Sequence, residues 1–110
     1  MIETIIRDYL TGAQPLPVLF EHQAGLEEFF ILEKTGGGET NHIRSSMLTI
    51  QAYGRTKARA AQLCEEVVGL MLGAVQLDAI SSVDLNSAYD FTDTEAKAYR
   101  YQAVFDIVHY

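Results

Sequence analysis

The chain has 110 residues, a single cysteine and a formal net charge of −7 from 15 acidic and 8 basic side chains. That length suits one domain over residues 1–110 with one core, and 48% hydrophobic against 21% charged residues excludes a disordered polymer. The acidic balance argues against tight nucleic-acid binding and against docking on anionic lipid, while a lone Cys64 excludes an internal disulfide and a cysteine metal cluster.

Ile2, Ile5, Ile6, Tyr9 and Leu10 recur at helical spacing, with Glu3, Arg7 and Asp8 on the other side, which predicts a short amphipathic helix. Gly12, Pro15 and Pro17 stop it. The same three charges make the opening unlike a signal peptide, and no run approaches the roughly 20 apolar residues of a membrane span. The expectation is a soluble protein that stays inside the cell making it. Val18 to Glu21 reads as a brief first strand and His22 to Glu28 as a connection. Phe29 to Lys34 reads as a second strand, apolar on both faces for most of its length and so central in a sheet or at a subunit contact. Gly36, Gly37 and Gly38 read as a flexible loop, and Ile43 to Tyr53 as a third strand.

Thr56, following Gly54, is placed to cap a helix over residues 57–75. Leu63, Cys64, Val67, Leu70, Met71 and Ala74 cluster around Ala60, opposite Arg59, Gln62, Glu65, Glu66, Gly69 and Gly73. Ala61, Val68, Leu72 and Val75 form a second apolar flank. The apolar arc covers roughly 200°, about twice what one sheet face requires. The first helix and a neighbouring subunit are the two candidates to cover the excess.

From Ile80 to Tyr110 the sequence alternates with period two on either side of a polar break, which predicts a long antiparallel hairpin with Thr92 to Ala98 as its loop. The pattern sets a register of Phe91 with Tyr99, Tyr89 with Tyr101, Leu85 with Phe105 and Val83 with Ile107, all on one face. Short connections and alternation favour an α+β sandwich, a mostly antiparallel sheet with both helices on one face, in the order αβββαββ.

Candidate chemistry is sparse. His22, His42 and His109 share no metal-type spacing with one another or with Cys64, and they read as surface polar residues. Cys64 lies on the apolar side of its helix, where a thiol acts as a small hydrophobe. Thr35 to Thr40 lacks the Lys and Ser/Thr of a phosphate loop and is followed by a strand. Asp90, Asp93 and Glu95 surround the hairpin loop without the spacing of a calcium site. No catalytic residue, cofactor or metal ligand is expected. Tyr89, Phe91, Tyr99 and Tyr101 gather near the hairpin end, either as a subunit contact or as a local cluster over the first helix.

The IETIIRDYL helix, the FFILEKTGGG strand and loop, the MLTIQAYGRTKARAAQLCEEV strand-to-helix segment and the closing LNSAYDFTDTEAKAYRYQAVFDIVHY together resemble small head-to-tail and tail proteins of long-tailed phages and prophages of Gram-positive bacteria. The nearest type is the tail terminator, or tail-completion protein. The resemblance is one of pattern over nearly the full length. It implies an α+β subunit without catalytic residues, six of which close into a ring that caps the tail tube and offers a surface to the head. It further implies tail-tube and neck proteins as partners, and a life in the host cytoplasm and then in the virion. Candidate ring contacts are Val68, Leu72 and Val75 on one side and Tyr89, Phe91, Tyr99 and Tyr101 on the other. Another neck or head-completion protein, and a small cytoplasmic adaptor or ligand-binding domain, are the alternatives.

Overall fold

Residues Ile2–Ala13 form helix α1 and bury Ile2, Ile6 and Leu10, the stripe that the spacing picks out. A computed structural model describes residues 1–110. Strands β1 (Val18–Leu19), β2 (Phe29–Thr40) and β3 (Ile43–Tyr53) follow. Helix α2 (Lys57–Gly73), a 3-10 turn (Ala74–Gln76) and strands β4 (Ile80–Asp90) and β5 (Arg100–His109) complete the chain. The sheet order is β1-β2-β3-β5-β4, and every neighbouring pair is antiparallel except β1 with β2. The protein is therefore an α+β sandwich of the order αβββαββ, ending in a long hairpin.

One face of the sheet presents Phe30, Leu32, Leu48, Ile50, Ala52, Ala103, Phe105 and Ile107 to a core that α1 and α2 complete with Ile6, Leu10, Leu63, Val67 and Met71. Thr56 caps α2 as its sequence position suggests, its hydroxyl accepting from the Arg59 N–H at 3.1 Å. The other face of the sheet carries no helix.

Three strand expectations need correction. The first strand ends at Leu19, and Phe20 and Glu21 lie outside it. The glycines are not a loop: β2 runs on through them, pairing Gly36 with Met47, Gly37 with Ser46 and Gly38 with Ser45. The chain instead reverses at Asn41 and His42, whose φ angles of 51° and 66° are both left-handed. Such a two-residue turn matches the twist of its flanking strands, and asparagine tolerates the left-handed region better than most residues. The strand shifts register between Lys34 and Gly36, which lets it bend.

The last hairpin keeps the expected register only from Ser82 to Leu85, with a first shift between Ile80 and Ser82. Val83 pairs with Ile107 and Leu85 with Phe105, but the ladder shifts between Leu85 and Ser87, so that Tyr89 pairs with Gln102 and Asp90 with Tyr101. Phe91 accordingly donates its N–H to the Arg100 carbonyl rather than facing Tyr99. The extra residue, Asn86, donates to the Asp106 carboxylate at 3.0 Å. Past this bulge every side chain changes face. Ala88 thereby replaces Ser87 opposite Ala103 on the helix-bearing face, where it lines a groove beside α2, and Tyr89 turns to the open face. The loop is also tighter than expected, because Asp93 and Ala98 still bridge.

The two hairpins turn at opposite ends of the sheet. β3 pairs Arg44 with His109 at one end and Tyr53 with Arg100 at the other. The molecule measures 45 × 25 × 22 Å as a result.

Candidate interaction surfaces

The flank of α2 that contains Val68, Leu72 and Val75 is not covered by α1. Tyr9 of α1 donates its hydroxyl to the Leu70 carbonyl at 2.8 Å and lies against Gly73, which places α1 along the opposite side of α2. Leu72 and Val75 remain 44% and 49% exposed. Farther along the same flank Ala61, Cys64 and Val68 face Leu85, Ala88 and Tyr101 across an open groove of about 320 Å³. Of the expected contact residues, the fold thus brings Val68 and Tyr101 to one groove. Leu85, 41% exposed, belongs with them and was hidden by its strand pattern, which marks it as core. Cys64 is buried beside the groove, and that burial, with Glu65 nearby, pushes its thiol pKa up and keeps it protonated and unreactive.

Tyr89 and Phe91 lie on the other face. There the hairpin end is organised as two cross-strand rows. In one, Phe29 and Tyr53 stack at 4.5 Å, and the Arg100 guanidinium sits 5.8 Å from the Tyr53 ring and 4.7 Å from the Phe91 ring. In the other, Gln51 donates to Gln102 at 3.0 Å, and Gln102 donates to the Tyr89 hydroxyl. Arg100 donates to the Tyr53 hydroxyl at 3.1 Å and Tyr53 donates to Gln51 at 3.2 Å, so the rows are linked by donors pointing one way, towards Tyr89. The linkage fixes side chains that would otherwise be free on an open sheet face. Tyr89 and Phe91 are 42% and 41% exposed at its border. Tyr99 is half-buried, and its carbonyl accepts from the Gly54 N–H at 3.1 Å. The four aromatics therefore do not form one cluster over the first helix, nor one patch.

His22 and His42 are exposed as expected, but His109 needs a correction. His109 is 5% exposed, and its Nε2 lies 2.7 Å from the Ser46 hydroxyl; His22 packs edge-on against Phe29 and Tyr53 at 5.6 and 5.8 Å. Alternation alone assigns His109 to the covered face, with Ile107 and Phe105, and that signal was available in the sequence.

Two of the three carboxylates around the hairpin loop, Asp90 and Asp93, serve the chain itself. Asp93 accepts from the Glu95 and Ala96 N–H groups. Asp90 pairs with the Lys57 ammonium at 2.8 Å and accepts from the Thr92 N–H at 2.9 Å. The hydrogen bond from Lys57, followed by those from Thr92, holds the Asp90 pKa down to about 2, and Asp90 reciprocally raises that of Lys57. A depressed folded-state pKa contributes stability that is present above the ordinary carboxylate range and is lost as pH falls towards about 2. Carboxyl NMR titration should place the Asp90 midpoint near 2, and Lys57→Met should raise it while Thr92 keeps it below an ordinary aspartate. No group of three or more His, Cys, Asp or Glu side chains is arranged to hold a metal ion. No helix is long and apolar enough to cross a membrane.

The fold is an α+β sandwich with exposed apolar side chains on both faces of its sheet. Neither protein-family models nor curated proteins give a match to the chain.

Proposed function

We propose that this protein is a non-enzymatic structural subunit of the tail-terminator type, which assembles with copies of itself into a ring that caps a phage tail tube and joins tail to head. The observation that carries the reading is the separation of two exposed apolar patches. Leu72, Val75 and Leu85 lie on the helix-bearing face, while Tyr89 and Phe91 lie on the open face at the hairpin end. A cyclic ring joins two unlike patches on each subunit, whereas a two-fold dimer needs only one self-complementary patch. Aromatic and aliphatic anchors of this kind are typical of protein interfaces. The pattern resemblance to tail terminators favours the same reading. So does the net charge of −7, since acids lining the bore would let DNA pass without holding it. The subunit would be made in the host cytoplasm and end in the tail or neck of the virion, against tail-tube and neck proteins.

Deleting the gene from its phage or prophage and imaging the lysate tests the proposal. Overlong or unattached tails beside filled heads are expected. Normal virions would sink the assignment.

A further inference from the structure

We propose that the end of the sheet at the β2–β3 turn carries a notch for a carboxylate, and that its occupant is the acidic β4–β5 loop of a second copy of the chain. This inference deepens the ring reading and rests on it.

Gly37 lies directly opposite Ser46 in the ladder. A Cβ on Gly37 would come within 2.8 Å of the Ser45 carbonyl oxygen and 3.0 Å of Lys34 Cε, so glycine there lets Lys34 lie across the strand, while the missing Cβ of Gly38 has nothing within 4 Å and leaves the space beside it open. The resulting concavity of about 340 Å³ has no hydrophobic lining and is bordered by Lys34, Arg44, Glu39 and the floor residue Ser46. Lys34 forms no ion pair, and Arg44 reaches only Glu39 at 4.0 Å, with both side chains more than half exposed. Behind the floor, His109 Nε2 sits 2.7 Å from the Ser46 hydroxyl. His109 Nδ1 lies 3.4 Å from the Tyr110 carbonyl, which can only accept, so in the neutral ring Nε2 accepts the Ser46 O–H and holds that side chain in place. An ammonium and a guanidinium fork therefore border one space, opposed there only by Glu39, and both are donors a carboxylate accepts from.

The complementary group lies at the far end of the same molecule. Asp93 is occupied by the loop's own N–H groups, but the exposed Glu95 carboxylate makes no hydrogen bond or ion pair. Within one chain the two cannot meet, because the two turns cap opposite ends of the sheet. Between copies they can meet only head to tail, which is the unlike-patch contact a ring requires. The apolar patches follow the same polarity. Val75 precedes the Ile80–His109 end that holds the notch, whereas Tyr89 and Phe91 lie at the loop end. Charge and apolar surface thus point to the same contact.

Sedimentation velocity on the full chain tests it. Wild type is expected to self-associate, less so as salt is raised. Reversal at either end alone, K34E/R44E or E95K, should raise the half-assembly concentration about tenfold or more, and a chain with all three changes should recover most of it. If wild type assembles and the reversals change nothing, the notch contact is wrong while the ring reading stands. A chain that stays monomeric at every concentration overturns both. Inorganic phosphate at constant ionic strength separates the other source of an oxyanion. If it shifts the Gly37, Gly38 and Arg44 amide resonances while E95K assembles like wild type, the notch binds free oxyanions and the second-copy contact is overturned.

Discussion

Replacing Gly54 with alanine is expected to lower the unfolding free energy by about 3 kcal/mol or more, at or beyond the top of the usual range for overpacking. Gly54 is buried at the end of β3, where α2 begins, and its φ is not left-handed, so the cause is space rather than backbone freedom. A Cβ there would lie 2.5 Å from the Ala60 nitrogen and 2.9 Å from the Ala60 Cα. Both are backbone atoms of the helix, and no side-chain rotation relieves the overlap. Either α2 lifts from the sheet or β3 gives up its hydrogen bond from the Gly54 N–H to the Tyr99 carbonyl. Gly69, exposed on the same helix with nothing within 4 Å of its missing Cβ, makes the control. Gly69→Ala should stabilise by about 0.5–1 kcal/mol through helix propensity alone. Urea unfolding followed by far-UV circular dichroism reads both signs. Equal and small effects at the two sites would contradict the close approach of α2 to the sheet.

Phe105→Ala is expected to cost about 3–5 kcal/mol, enough to leave much of the chain unfolded at room temperature. Phe105 is fully buried and sits between Leu48 of β3 and Leu85 of β4 in the covered layer. Its removal leaves a cavity that the two neighbouring strands cannot close, because their hydrogen-bonded spacing fixes them. Phe91→Ala provides the contrast. That ring lies on the open face, 41% exposed, beneath the Arg100 guanidinium. Its loss should change monomer stability by about 1 kcal/mol or less, while weakening self-association if the hairpin end is a contact. Two phenylalanines of one hairpin would then separate folding from assembly.

Much of this architecture was legible because alternation and helical spacing report burial directly. The stripe of α1, the cap at Thr56, the flank of α2 and the inner half of the last hairpin all follow from it. What the pattern could not carry is the insertion of a single residue. Asn86 looks like any polar position in an alternating run, yet as a bulge it moves Tyr89 and Phe91 to the face opposite Tyr101. The bulge leaves Ala88 on the helix-bearing face, lining the groove beside α2, and turns the larger Tyr89 to the open face. The glycines misled for a different reason. Gly36, Gly37 and Gly38 lack strand propensity, and the hydrogen bonds to β3 override it once Asn41 and His42 make the turn. The notch they leave is invisible to any reading that looks for side chains.

The sheet is two hairpins stitched along one seam, β3 against β5. Each hairpin closes over a short span of chain, so each can form early and by itself. The seam joins Tyr53 to Arg100 across all of α2 and β4, so its closure costs more entropy than that of either hairpin. Closing that seam, with α2 laid over the join, is therefore the expected slow step of folding, which φ-values at Ile50 and Ala103 would check. The halves that meet there each bring one of the outward turns, so a molecule that has not yet zipped its seam presents one end or the other but never both in their final relation. If copies join through those ends as proposed, their assembly waits on folding and begins only from finished subunits.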